Sequence, residues 1–89
     1  MIKTEYSSRY LSERKKFLKN NVIALQKTIK AIEIFVQNPN HPSLHLEKLQ
    51  GTNIWTIRID QSNRIFFNWI NEEKVLFIDI GKHDKYSRY

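Results

Sequence analysis

Residues 54–82, read as IWTIRID (54–60), QSN (61–63), RIFFNWI (64–70), NEEK (71–74) and VLFIDIGK (75–82), decide the fold. Three runs rich in β-branched and aromatic residues are separated by polar spacers short enough to be hairpin loops, the pattern of an antiparallel meander. Side chains alternate across a strand, so each run divides into two sets. Trp55, Ile57 and Ile59 form one set in the first run, and Ile65, Phe67 and Trp69 match it in the second. Pairing Asp60 with Arg64 across the first loop, and Ile70 with Val75 across the second, brings Leu76, Ile78 and Ile80 beside them as one apolar face. A slip of one residue in any strand would send its apolar set to the wrong side. The opposite face then holds Thr56, Arg58, Asp60, Arg64, Phe66, Asn68, Phe77, Asp79 and Gly81. Alternation carried past Gly81 adds His83 close to Arg64, and the missing side chain of Gly81 leaves space between them.

Working towards the N-terminus, Gly51-Thr52-Asn53 reads as a turn and residues 44–49 as a short strand. Pro39 and Pro42 end a helix in which Val22, Leu25, Ile29, Ile32 and Val36 recur at helical spacing. Asn20-Asn21 separates it from a first helix with Tyr10, Leu11, Phe17 and Leu18 on one face, capped by Ser7 or Ser8. Residues 2–6 alternate weakly, as a short strand would. A helical hairpin cannot bury its apolar face alone. The reading is therefore a two-layer α+β domain spanning 1–89, with a short N-terminal strand and two helices on one face of an antiparallel sheet.

The chain has 89 residues and no cysteine, which removes disulfides, cysteine nucleophiles and thiolate metal sites. No stretch approaches the roughly 20 apolar residues that span a bilayer, and the N-terminus has no signal-peptide pattern, so a cytoplasmic protein is expected. The net charge of +6 points to a polyanionic partner. Residues 1–38 carry eight Lys/Arg against three Glu, and residues 39–89 carry seven against six Asp/Glu. The excess thus lies in the helical part, notably at Arg14, Lys15, Lys16 and Lys19. Such a run is also what any solvated helix face looks like, and alone it identifies nothing.

Two arginines and a histidine at one end of an exposed sheet face suit RNA cleavage. Attack of a ribose 2′-hydroxyl on the adjacent phosphate needs a proton acceptor, a donor to the leaving 5′-oxygen and stabilisation of developing negative charge. A histidine serves the proton transfers near neutrality, and an arginine serves the charge. RNA carries its own nucleophile, so no cofactor and no metal are required. His41, His45 and His83 lack metal-ligand spacing. Trp55 and Trp69 fall on the core face, whereas Phe66 and Phe77 on the other face are candidates to stack on RNA bases or to meet a partner protein. Against this, Arg58 and Arg64 could simply pair with Asp60 and Asp79, and His83 could be an ordinary surface residue.

The segments HPSL (41–44), KLQG (48–51), WTIRID (55–60), RIFF (64–67) and IGKHD (80–84), in that order and spacing, resemble the RelE/ParE superfamily of toxins from type II toxin–antitoxin systems. The motifs are most similar to those of the RelE-, YoeB- and YafQ-like mRNA interferases. The resemblance implies a RelE-like fold and an endoribonuclease that cuts mRNA without a metal, usually on the ribosome. It implies as partners a cognate antitoxin, the ribosome and mRNA, and no membrane. It implies catalytic roles for Arg64, His83, Arg58 and Tyr86, and RNA-binding roles for Lys48, Phe66, Lys82 and Tyr89. The tail is shorter than the common pattern, so either Tyr86 or Tyr89 could be the functional aromatic. Glu47 lies where some members place an acid or a histidine. Two other readings remain open from the sequence: a ParE-like inhibitor of DNA gyrase, and a basic nucleic-acid-binding module without catalysis.

Overall fold

The computed structural model describes residues 1–88, apart from the side chains of Tyr86 and Arg88. The chain runs β1 (Lys3–Tyr6), α1 (Ser8–Leu18), α2 (Val22–Gln37), a 3-10 turn (Pro42–Leu44), β2 (Glu47–Lys48), β3 (Trp55–Arg58), β4 (Asn63–Asn71), β5 (Lys74–Lys82) and a second 3-10 segment (His83–Arg88). The α+β reading holds, with both helices packed against one five-stranded sheet of order β1-β5-β4-β3-β2. The sheet is mixed rather than antiparallel, because β1 pairs with β5 in parallel, Thr4 opposite Val75 and Tyr6 opposite Phe77. The intervening helices supply the crossover that a parallel pair requires. No helix among the described residues is long and apolar enough to cross a membrane.

Both helices begin where side chains can satisfy their free amides. Ser7 Oγ accepts from the Tyr10 amide at 3.0 Å, and Asn21 Oδ1 accepts from the Ala24 amide at 3.0 Å. Between them Asn20 takes a positive φ of 54°, a conformation that asparagine tolerates, and so reverses the chain. The buried face of α2 differs from the expected one. Ala24, Thr28, Ala31 and Phe35 point inward, while Val22, Leu25 and Ile29 stay exposed and Ile32 and Val36 only border the core. Small residues make up most of this inward face. Phe35 then supplies the bulk, with its ring 5.1 Å from that of Phe67 and 6.2 Å from that of Trp69. On α1, Tyr10 is buried and Phe17 packs against the core, but Leu11 is exposed.

The sheet register also departs from the expected one in two ways. In the first hairpin Arg64 pairs with Arg58, not with Asp60. The shift is two residues, so every side chain keeps its face, and Ile57, Ile65 and Phe67 are buried as expected. In the second hairpin a bulge intervenes. Phe66 opposes Asp79 but Phe67 opposes Phe77, so Ile78 is passed over. One inserted residue reverses alternation beyond it. Ile80 therefore reaches the core as expected, while Val75 and Phe77 replace Leu76 and Ile78 there. Phe77 is fully buried against Tyr10, Phe67 and Phe35, which removes it as a stacking platform. The segment 44–49 forms only the two-residue β2, preceded by the 3-10 turn that Pro42 opens and His41 caps.

Candidate active site

Cross-strand pairing sets out the polar face as two adjacent rows. Glu47, Thr56, Phe66 and Asp79 are successive partners across β2 to β5, and Arg58, Arg64 and Gly81 are partners in the next row. Over this face opens a cavity of about 650 Å³ whose lining includes Glu47, Lys48, Thr56, Arg64, His83 and Ser87. Leu49, Gln50 and Thr52, from the bend between β2 and β3, complete its wall.

Arg64 is fixed by its own hairpin. Its Nη1 donates to the carbonyl oxygens of Asp60 at 3.0 Å, Asn63 at 3.2 Å and Gln61 at 3.5 Å, which among the described residues leaves Nε and Nη2 for a ligand. Those carbonyls are held in turn by a tight loop. The Asp60 carboxylate accepts from the amides of Ser62 and Asn63, each at 2.9 Å, and from Asn63 Nδ2 at 3.0 Å. Partial burial alone would raise the Asp60 pKa, but these donors, helped by the charge of Lys27, outweigh it and hold the carboxyl below its usual range. Burial and then the neighbouring charge of Arg58 lower the Arg64 pKa, while Glu47 and Asp60 oppose that change. Glu47 is therefore within electrostatic reach of the guanidinium. Arginine remains charged throughout.

His83 enters from the other side. Its amide donates to the Ser62 carbonyl at 2.9 Å, so the start of the C-terminal 3-10 segment is tied to the loop that positions Arg64. Lys85 anchors the same segment. Its ammonium lies 3.1 Å from Asp79 Oδ1, 3.0 Å from the Ile80 carbonyl oxygen and 3.4 Å from Glu13 Oε2 on α1. Asp79 is fully buried and is also bonded by Arg9 Nε at 3.2 Å. The space over Gly81 is thus not open beside Arg64, as expected from sequence, but filled by the stem of Lys85. A Cβ at Gly81 would stand 2.8 Å from Lys85 Cε, and the backbone there has φ +146°, a conformation few residues other than glycine adopt.

The structure brings together three of the residues singled out from sequence, Arg64, His83 and Lys48, at this cavity. Arg58 is placed elsewhere. Although it is the Cα partner of Arg64, its side chain lines a second, smaller cavity and donates from Nη1 to His45 Nε2 at 3.2 Å. Phe66 is fully buried, with Thr56 and Asp79 as its partners across the sheet, so it cannot stack on an RNA base. Lys82 is exposed at the end of β5 opposite Asn63 and does not line the cavity. The side chain of Tyr86 and all of Tyr89 lie outside the described residues. The pairing of Asp79 with Arg9 and Lys85, rather than with Arg58 or Arg64, leaves both of those arginines without a carboxylate partner within salt-bridge distance among the described residues. Sequence reasoning gave Glu47 too little weight. Extending the alternation of β3 across to the short strand before it would have set Glu47 opposite Thr56, on the polar face.

No sequence-family model matches this chain, and comparison with curated protein sequences gives no match. Solved structures do match. A YafQ from E. coli superimposes with a TM-score of 0.77 at 13% identity, covering 97% of this chain and 98% of that one. A YoeB/ParE toxin from Agrobacterium tumefaciens gives a TM-score of 0.75 at 15% identity over 92% of this chain and 99% of that one. An E. coli DinJ–YafQ complex gives 0.77 at 15% identity, covering 96% of this chain and 97% of that one. The two helices on a five-stranded mixed sheet are, from end to end, the fold of the YafQ and YoeB/ParE toxins.

Proposed function

We propose that this chain is the toxin of a type II toxin–antitoxin pair and an endoribonuclease acting at the cavity of Glu47, Arg64 and His83. The observation that carries the reading is the convergence of a carboxylate, a pre-positioned arginine and a histidine on one cavity above an otherwise closed sheet face. In the proposed reaction Glu47 accepts the proton of a ribose 2′-hydroxyl as its oxygen attacks the adjacent phosphorus. The free donors of Arg64 bind the non-bridging oxygens as negative charge builds on them. His83 gives a proton to the departing 5′-oxygen. The P–O5′ bond breaks as the P–O2′ bond forms, leaving a 2′,3′-cyclic phosphate and a 5′-hydroxyl. Every electron pair and proton is supplied by the RNA and these two side chains. Lys48, at the cavity mouth, holds a flanking phosphate.

The proposed partners are mRNA in the ribosome as substrate and a co-encoded antitoxin as inhibitor. A relative in fold is known in complex with DinJ, and this chain offers a surface suited to such capture. Val22, Ile23, Leu25 and Ile29 of α2 are exposed beside the basic Lys15, Lys16 and Lys19 of α1. An acidic segment that folds on binding would cover both.

Incubation with RNA, free and in programmed ribosomes, followed by mapping and end-group chemistry of the fragments, tests the reading. Fragments ending in 2′,3′-cyclic phosphate, lost on Glu47→Gln or His83→Gln substitution, are expected. Intact RNA together with inhibited supercoiling by DNA gyrase would replace the nuclease with a gyrase inhibitor.

A further inference from the structure

The second cavity, about 180 Å³, is lined by Lys27 and Lys30 of α2, Ser43 and Leu44 of the 3-10 turn, and Arg58 and Ile59 of the β3 end. Three basic side chains and no acidic one border it. The acid near Lys27, Asp60, has its carboxylate oxygens engaged by the amides of Ser62 and Asn63 and by Asn63 Nδ2. Arg58 is the least compensated of the three cations. It lies across the strand from Arg64, its Nη1 bonds His45 Nε2, and its Nε is buried with no hydrogen-bond partner among the described residues. A buried donor on a charged group, left without an acceptor, is costly. An anion with several oxygens would satisfy it and offset the mutual repulsion of Arg58, Lys27 and Lys30.

We infer that this cavity is a second phosphate site, which takes a backbone phosphate of the same RNA strand whose scissile phosphate lies on Arg64. The inference rests on the nuclease reading and adds the path of the strand. Direct partners in an antiparallel pair are about 4.5–5.5 Å apart at Cα, so the two arginines stand close enough to serve phosphates on neighbouring nucleotides. Arg58 Nε and the two lysines bind the phosphate oxygens, and the Ser43 hydroxyl donates to one of them. His45 orients Arg58: its positive φ of 46° turns the ring towards the guanidinium as the chain leaves the 3-10 turn.

The test uses a single-stranded oligoribonucleotide whose 2′-hydroxyl at the cut is replaced by hydrogen, so that it binds without being cleaved. Affinities are measured over a range of salt for the wild type, for Lys27→Ala/Lys30→Ala, and for Lys15→Ala/Lys16→Ala, which removes the same charge from exposed positions of α1. Each phosphate flanking the cut is also replaced in turn by an uncharged methylphosphonate. Loss of one single-strand phosphate contact lowers the salt slope by about 0.7. That drop is expected for the α2 variant and not for the α1 variant. One methylphosphonate should weaken the wild type more than the α2 variant, whose two lysines are already gone. Equal slopes for the two variants, with additive methylphosphonate effects, overturn the second site even if the wild type cuts RNA. A wild type that neither binds nor cuts overturns the nuclease reading and the second site together. If the α2 variant binds ribosomes more weakly but keeps the oligonucleotide slope, the phosphate belongs to ribosomal RNA, and the strand path is wrong.

Discussion

Arg64 and His83 differ in how they are held, and that difference predicts how their loss will appear. Arg64 donates from one nitrogen to three carbonyls of its hairpin, so its other donors are fixed before substrate arrives. Arg64→Ala should lower single-turnover cleavage by about 10²–10³-fold with little change in affinity, as loss of one pre-positioned donor does. His83→Gln keeps the backbone tie to Ser62 and removes proton transfer by the imidazole, at a cost of about 10²–10⁴-fold. Growth arrest on expression without an antitoxin should be relieved in both variants; a His83→Gln protein that stays fully toxic and cuts at the wild-type rate would take His83 out of the mechanism. Asp60 gives a prediction in stability. Its pKa is depressed in the folded state, so the stabilisation it contributes is present above the ordinary carboxylate pKa of about 3.9 and disappears as pH falls through the folded value. The gap in melting temperature between wild type and Asp60→Ala should therefore be largest near neutrality and close as the pH falls below the ordinary carboxylate pKa of about 3.9. A gap that is constant over that range would show that the loop does not depend on the charge.

Among the elements, the C-terminal 3-10 segment depends most on a single side chain. Lys85 reaches through the space that Gly81 leaves, to a fully buried Asp79 and to Glu13 of the first helix. Lys85→Met keeps the stem but removes the charge and leaves the buried Asp79 carboxylate with one cation fewer. Cleavage should fall by about tenfold or more, since small displacements of a catalytic group are costly. The pH–rate profile should keep its shape, because His83 is displaced and not replaced. A profile that changes shape would contradict a positioning role for Lys85. None of this was legible in the sequence, where a glycine two residues before a histidine reads as empty space. The three strands of the meander were legible because β-branched and aromatic residues mark them and a two-residue shift preserves the faces. The bulge at Ile78 was not, since Val75, Phe77 and Ile80 are as apolar as the alternation that predicts Leu76, Ile78 and Ile80. The inward face of α2 was misread for a related reason. Its helix is apolar around much of its circumference, and the small residues of the inward face carry less hydrophobic signal than the exposed Val22, Leu25 and Ile29. Glu47 was obscured by a strand of only two residues.

Over the whole molecule, charge and apolar surface are arranged for two different encounters. Arg14 lies 5.8 Å from the ring of Tyr6 and 5.6 Å from that of Tyr10, so part of the basic run on α1 is structural. Lys15, Lys16 and Lys19 remain exposed. Reversing these three should slow association with an acidic antitoxin by about tenfold or more at low salt, and change dissociation less, because exposed charges act mainly on encounter. Stopped-flow measurements at two salt concentrations check this. An on-rate indifferent to both charge and salt would return the run to the status of a solvated helix face. Substituting Ile23 and Ile29 by serine should instead raise the dissociation rate, since apolar contacts hold a docked segment once it has arrived.

The parallel pairing of β1 with β5 joins residues near position 5 to residues near position 75. During synthesis β1 therefore waits unpaired until β5 has left the ribosome. Contacts so distant in sequence form late and slowly. The same delay applies to the cavity, whose histidine at position 83 follows β5. The helical hairpin, with its exposed Val22, Ile23, Leu25 and Ile29, is complete far earlier. The order of emergence thus presents the exposed apolar face of the hairpin before the cavity is assembled, so a segment that binds that face could do so on a chain whose site does not yet exist.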